Sequence, residues 1–167
     1  MGDDKTGIEQ RLQHVEDKLS IYNLIASYGP AVDSLSNRDA AELWTDDGVY
    51  AAAKVGVFKG HHEIAGLFGG DLNVDFMKRG GAHVLSFPYV EIDGDTAVAT
   101  NHATVYLHTG DAHKAVRVVA SRWELVRTPA GWRVKRRLNE IFDGSMAARR
   151  LIGTRHQADI GPYQVQE

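Results

Sequence analysis

The sequence predicts an α+β domain whose helices cover one face of a strongly curved, mainly antiparallel sheet. Two observations carry this. In the first 35 residues, apolar side chains return every three or four positions, as on an amphipathic helix. After Gly80-Gly81 the chain changes to segments rich in Val, Ala, Thr and Trp, separated by turn-forming residues. Helices first and strands afterwards is the pattern of an α+β domain, and a curled sheet under a helical lid encloses a conical pocket.

The elements follow in order. Ile8, Leu12, Val15, Leu19, Tyr22, Ile25, Tyr28, Val32 and Leu35 read as one stripe of a long first helix. Gly29-Pro30 predicts a bend near residues 26–30, because proline lacks an N–H and clashes with the preceding turn. The segment "SNRDAAELW" reads as a capped second helix, "DGVYAAAKVGVFKG" as a hairpin and "HHEIAGLFGG" as a third short helix closed by glycine. Strands are predicted at "AHVLSFPYVEI", "TAVATNHATVYLH", "AVRVVASRWELVR" and "GWRVKRRLNEI", joined by "DGD", "TGDAHK" and "TPAG". "SMAARRLIG" allows a short helix, followed by a tail over about residues 153–167. All 167 residues are read as one domain.

Composition narrows the classes of function. A formal charge of −3 and no long basic block give no reason to expect a nucleic-acid partner. Without cysteine there is no disulfide, thiolate nucleophile or cysteine metal site. The polar "MGDDKTGIEQ" start is neither a signal peptide nor a membrane span, so a soluble cytoplasmic protein is the default expectation.

Asp33 and His83 are the first candidates for chemistry. An imidazole holds or releases a proton at working pH, and a neighbouring carboxylate fixes its tautomer and stabilises its cation. Taken alone, the two also fit a solvated acid at a helix end and a satisfied core histidine. Tyr28, on the apolar stripe, is either a core aromatic or a neutral donor to a substrate carbonyl. Tyr50 has the same two readings. His102, Thr104, Tyr106 and His108 share one strand face by alternation. If that face lines the cavity, His108 is a second acid for the leaving hydroxyl and His102 and Tyr106 contact substrate; if it faces water, they are surface residues. The histidines show no compact zinc spacing, so a metal-free, cofactor-free acid-base site is expected. "KRR" at 135–137 and "ARR" at 148–150 read as solvated faces, though one arginine could hold a substrate carboxylate or thioester tail at the pocket mouth.

The succession of long helix, "AVDSLSNRDAAELWTDDGVY", "GAHVLSFPYVEIDGDTAVAT" and "WELVRTPAGWRVKRR" resembles the SnoaL-like group of the nuclear-transport-factor-2 superfamily. That group includes scytalone dehydratase and bile acid 7α-dehydratase. The resemblance implies an NTF2-like cone with its helices on the concave face, and it assigns catalysis to Tyr28, Asp33 and His83, with Tyr50 and His108 also matched. It places Phe87 where relatives carry an asparagine, which implies a more apolar pocket. The function expected is a lyase removing water from a hydrophobic, hydroxylated, cyclic carbonyl compound such as a steroid, polyketide or aromatic metabolite. The alternatives are a polyketide-cyclase-like or ketosteroid-isomerase-like enzyme that relies on Asp33, and a binding module without catalysis. A homodimer or homotrimer is also expected, because Ala103, Val105 and Leu107, with Trp123 and Leu125, would leave an apolar patch wet on the outer sheet face.

Overall fold

The N-terminal periodic segment forms one helix, α1 (Asp3–Asp33), in the computed structural model, which describes residues 3–153 and, for side chains, 7–153. The helix continues through Pro30 to Asp33 and ends where Leu35 takes a left-handed φ of 59°. Its apolar residues do not make one stripe. Steps of three between Leu19, Tyr22, Ile25 and Tyr28 fall short of the helical turn of about 3.6 residues, so the pattern winds around the axis. Ile21, Leu24, Ile25, Tyr28 and Val32 enter the core, while Ile8, Leu12, Val15 and Leu19 are exposed.

Next come α2 (Asn37–Ala41), strands β1 (Trp44–Ala52) and β2 (Gly56–Lys59), and helices α3 (Gly60–Gly69) and α4 (Asp71–Lys78). Helix α4 is an addition to the sequence reading. It is eight residues long and buries none of them, which leaves little pattern to read. The predicted strand from Ala82 to Ile92 is two strands, β3 (Gly81–Leu85) and β4 (Tyr89–Asp93), interrupted at Ser86, Phe87 and Pro88. Strands β5 (Thr96–His108), β6 (His113–Thr128) and β7 (Gly131–Ile141) follow, and α5 (Ala147–Ile152) ends the described chain. The predicted tail lies outside the described residues from 154 onward.

The seven strands form one curved, unclosed sheet in the order β2-β1-β7-β6-β5-β3, with β4 also paired to β5. Among these pairs only β1 and β7 run parallel. Register places side chains in rows across the concave face. Tyr50, Arg137, Trp123 and Ala99 form one row, and Ala52, Asn139, Ser121 and Asn101 the next. The core lies between these rows and helices α1 to α3, with Trp44, Trp123, Ile64 and Phe68 buried in it. On the convex face α5 packs Ala148 and Leu151 against Ala120 and Leu138.

This arrangement reverses one expectation. Ala103, Val105, Trp123 and Leu125 are buried on the inner face, so they form no wet outer patch from which to argue assembly. The outer face carries charge instead, with Arg122 and Arg136 both paired to Glu124. Among the described residues, no helix is long and apolar enough to cross a membrane.

One buried carboxylate ties the middle of α1 to the far ends of the sheet. Arg127 donates from Nη1 and Nη2 to the two oxygens of Asp17 at 2.6 and 2.7 Å, and Trp132 Nε1 donates at 3.0 Å. The Arg127 guanidinium is the main reason the Asp17 carboxyl is pulled down to about 2. Because this group is more acidic folded than unfolded, its stabilisation is complete above the unfolded value near 4 and disappears as pH falls toward 2. Asp17→Asn should therefore cost roughly 2 kcal/mol at pH 7. In urea unfolding, the gap between wild type and variant should narrow between about pH 4 and pH 2.

Candidate active site

Helix α1 reaches β3 unusually closely because Gly29 has no side chain. A Cβ there would stand 2.8 Å from the backbone oxygen of His83. The contact brings the helix terminus, one turn further on, against the same strand. Asp33 then grips His83 twice: Oδ2 accepts from the His83 backbone N–H at 2.8 Å, and Oδ1 meets ring Nδ1 at 2.6 Å. A carboxylate oxygen accepts, so Nδ1 carries the proton and Nε2 is the nitrogen available to a ligand. Both side chains are partly shielded, with 18% of His83 and 26% of Asp33 exposed.

His83 faces a cavity of about 40 Å³ on the concave side of the sheet. Tyr28, Tyr50, Arg137 and Asn139 supply its polar lining, and Ala52, Ala103, Val105 and Val119 its apolar wall. Asp33 does not line it, and stands behind the imidazole. At the exposed side is Arg117. Burial is the largest influence on the Tyr28 phenol and pushes its pKa well up, and Tyr50 adds to this against the opposing pull of Arg137. Tyr28 is thus a neutral hydroxyl, able to donate to a carbonyl oxygen.

Beside Tyr28 lies a buried cation. Arg137 is 1% exposed, and its guanidinium carbon is 3.9 Å from the ring centroids of both Tyr28 and Trp123. Its Nη2 donates to Ser121 Oγ at 3.5 Å, at the outer limit of a hydrogen bond. Ser121 donates to Asn139 Oδ1 at 2.7 Å, and Asn139 Nδ2 donates to the Tyr50 hydroxyl at 3.0 Å. Nε and Nη1 of Arg137 have no hydrogen-bond acceptor among the described residues.

The structure thus gathers Tyr28, Tyr50 and His83 around one cavity, with Asp33 behind His83. The other sequence candidates lie elsewhere. His102 is exposed and stacks on Phe142 at 5.3 Å, because the alternation of β5 turns Ala103 and Val105 inward and the histidine face outward. Tyr106 shares that outward face and does not line the cavity. His108 is exposed at the end of β5, its ring 4.9 Å from that of His113. Phe87, in the break between β3 and β4, is 77% exposed and rests on Tyr22.

Sequence reasoning missed Asn139 and Ser121, and it read Arg137, within "KRR" at 135–137, as part of a solvated face, whereas Arg137 is buried. A signal for Ser121 was present, since Val119, Ser121, Trp123 and Leu125 alternate in one strand and a polar residue within such a series faces the same interior. The arginine had no such signal, because a bulge shifts the phase of β7. Between Val134 and Arg136 the pairing with β6 slips by one residue, which leaves Lys135 without a strand residue opposite it.

Chemically, the site offers a positioned imidazole whose cation a carboxylate would stabilise, a neutral phenol and a buried positive charge. Its geometry rests on Gly29. Gly29→Ala should push α1 off β3, cost roughly 1–3 kcal/mol by overpacking and loosen the Asp33–His83 contact. Urea unfolding and the His83 imidazole NMR resonances would register both effects; an unchanged urea midpoint would contradict the close-approach reading.

Comparison with known proteins agrees with this architecture. The SnoaL-like domain family matches residues 13–138. An NTF2-like protein with a cystatin-like fold from Novosphingobium aromaticivorans is 42% identical, with a TM-score of 0.89 over 92% of this chain and 100% of that one. Two more distant structures share the fold. Aln2 from a Streptomyces species is 19% identical, with a TM-score of 0.66 over 75% of this chain and 90% of that one. A protein with a cystatin-like fold from Nostoc punctiforme is 20% identical, with a TM-score of 0.66 over 76% and 92%. No curated protein matches the chain. The family match and the Novosphingobium relative together show that this chain belongs to the SnoaL-like domain family, with the NTF2-like fold.

Proposed function

We propose that the protein is a cofactor-independent hydro-lyase acting on a hydrophobic hydroxy-carbonyl compound, with His83 as the proton carrier. The observation behind this reading is the double grip of Asp33 on His83 at the edge of a cavity that Tyr28 also lines. His83 Nε2 takes a proton from the carbon next to the substrate carbonyl. The C–H electrons move toward that carbonyl, whose oxygen gains negative charge and accepts a hydrogen bond from Tyr28. The imidazolium, stabilised by Asp33, then returns the proton to the departing hydroxyl. A C–O bond breaks, a double bond forms and water leaves. Asp33 acts through His83, as a positioning residue.

A cyclase-like or ketosteroid-isomerase-like enzyme would need Asp33 itself to carry the proton. Both oxygens of Asp33 are engaged by His83 and the carboxylate does not line the cavity, which favours the histidine. The cavity of about 40 Å³ is far below the several hundred typical of sites for ring-sized ligands, so binding such a ligand, with or without catalysis, requires it to widen on the side of Arg117.

A panel of cyclic β-hydroxy ketones and β-hydroxy acids, followed by mass spectrometry for loss of water and for deuterium uptake from D2O, tests the assignment. For a compound that turns over, His83→Ala should lower kcat by about 10²–10⁴-fold. Asp33→Asn should fold normally and lose a comparable factor, because the imidazolium is no longer stabilised. If turnover survives in His83→Ala and is lost only in Asp33→Asn, the isomerase or cyclase reading replaces this one. If neither substitution affects turnover, the acid-base pair is not the catalytic centre.

A further inference from the structure

We propose that Arg137 is a ligand anchor, so that the small molecule taken by this pocket carries a carboxylate and lodges it at the closed end of the cavity. The inference rests on the pocket assigned above and names the chemical class of its ligand. Arg137 is almost fully buried, yet no carboxylate among the described residues pairs with it, and apart from the aromatic rings it touches, its fork makes one long hydrogen bond, to Ser121. Two donors, Nε and Nη1, are without a protein acceptor among those residues. A buried cation is ordinarily paired, and Arg137 both lines the cavity and lacks a carboxylate partner, a combination suited to an anionic oxygen.

The surroundings favour the same ligand. Tyr28 and Trp123 clamp the guanidinium between their rings, which fixes its orientation before anything binds. Among the described residues no aspartate or glutamate lines the cavity, whereas Arg117 adds a second cation at the exposed side. The nearby acid, Asp33, is committed to His83. A volume of about 40 Å³ has room for roughly three water-sized atoms, which suits a carboxylate group, while a ring attached to it needs the widening on the Arg117 side. The apolar body of the ligand would then lie toward Ala103, Val105 and Val119, with its reacting carbon on the His83 side of Tyr28.

Benzoate and its neutral counterpart benzamide test the anchor by calorimetric titration at neutral pH. Wild type should prefer benzoate by tenfold or more. Arg137→Met should bring the two affinities together, while Arg136→Gln, next along β7 but on the outer face, keeps the preference. If Arg137→Met does not fold, the wild-type Arg137 Nε–H resonance decides, and it should shift with benzoate and stay in place with benzamide. Equal affinities, no binding of benzoate, or a preference that survives in a folded Arg137→Met would overturn the proposal. The two readings fail separately. A benzoate preference that persists in His83→Ala, with no substrate dehydrated by wild type, keeps the anchor and removes the lyase. Turnover that requires His83, without any benzoate preference, removes the anchor alone.

Discussion

The contact between the end of α1 and strand β3 is the constraint on which the site depends. A 31-residue helix has to stop with one carboxylate facing one histidine, across a gap that no intervening side chain can occupy. Gly29 makes the approach possible, and Asp33 holds it with a backbone hydrogen bond as well as a side-chain one. The backbone bond orders the strand and the ring contact orders the imidazole, so one carboxylate fixes both. The acid at the helix end is held in place because its partner comes from the sheet.

Periodicity made the main elements legible. The four C-terminal strand segments, the glycine-closed third helix and the α+β class follow from apolar spacing and turn residues, and Asp33, His83, Tyr28 and Tyr50 lie where those elements can bring them together. What stayed hidden was mostly a matter of facing. The inner surface of a tightly curved sheet is crowded, so β5 turns its small Ala97, Ala99 and Ala103 inward and its larger polar side chains outward. Reading the polar face as the pocket face inverted that strand and carried His102, Tyr106 and His108 with it. In the same way, the apolar repeat of α1 looked continuous in one dimension although its first four members lie on the exposed side of the helix.

The interior of the cone is less apolar than a 43% hydrophobic chain suggests. Asn101, Ser121, Arg137 and Asn139 are buried within it, and all but the arginine find protein partners at ordinary hydrogen-bond distance. Trp123 links the two systems, since its indole N–H donates to Asn101 at 2.9 Å while its face carries the guanidinium. Ring contacts of this kind recover about 0.5–2 kcal/mol each, whereas an unpaired buried ion costs several. Arg137 therefore draws on the stability of the rest of the fold, in which the Asp17–Arg127 pair and the aromatic core have a share.

The bulge in β7 has a consequence for how this site could change over evolutionary time. Lys135, Arg136 and Arg137 are consecutive cations, and the extra residue Lys135 determines that the third of them points inward. Deleting that one residue would restore strict alternation downstream of Val134 without altering any residue that lines the cavity in type. Glu124 would still face Arg136 and Trp123 would still face Arg137, so the inner cation would keep its place opposite the same indole. A length change in a strand, normally ruinous, would here leave the charge of the cone where it is.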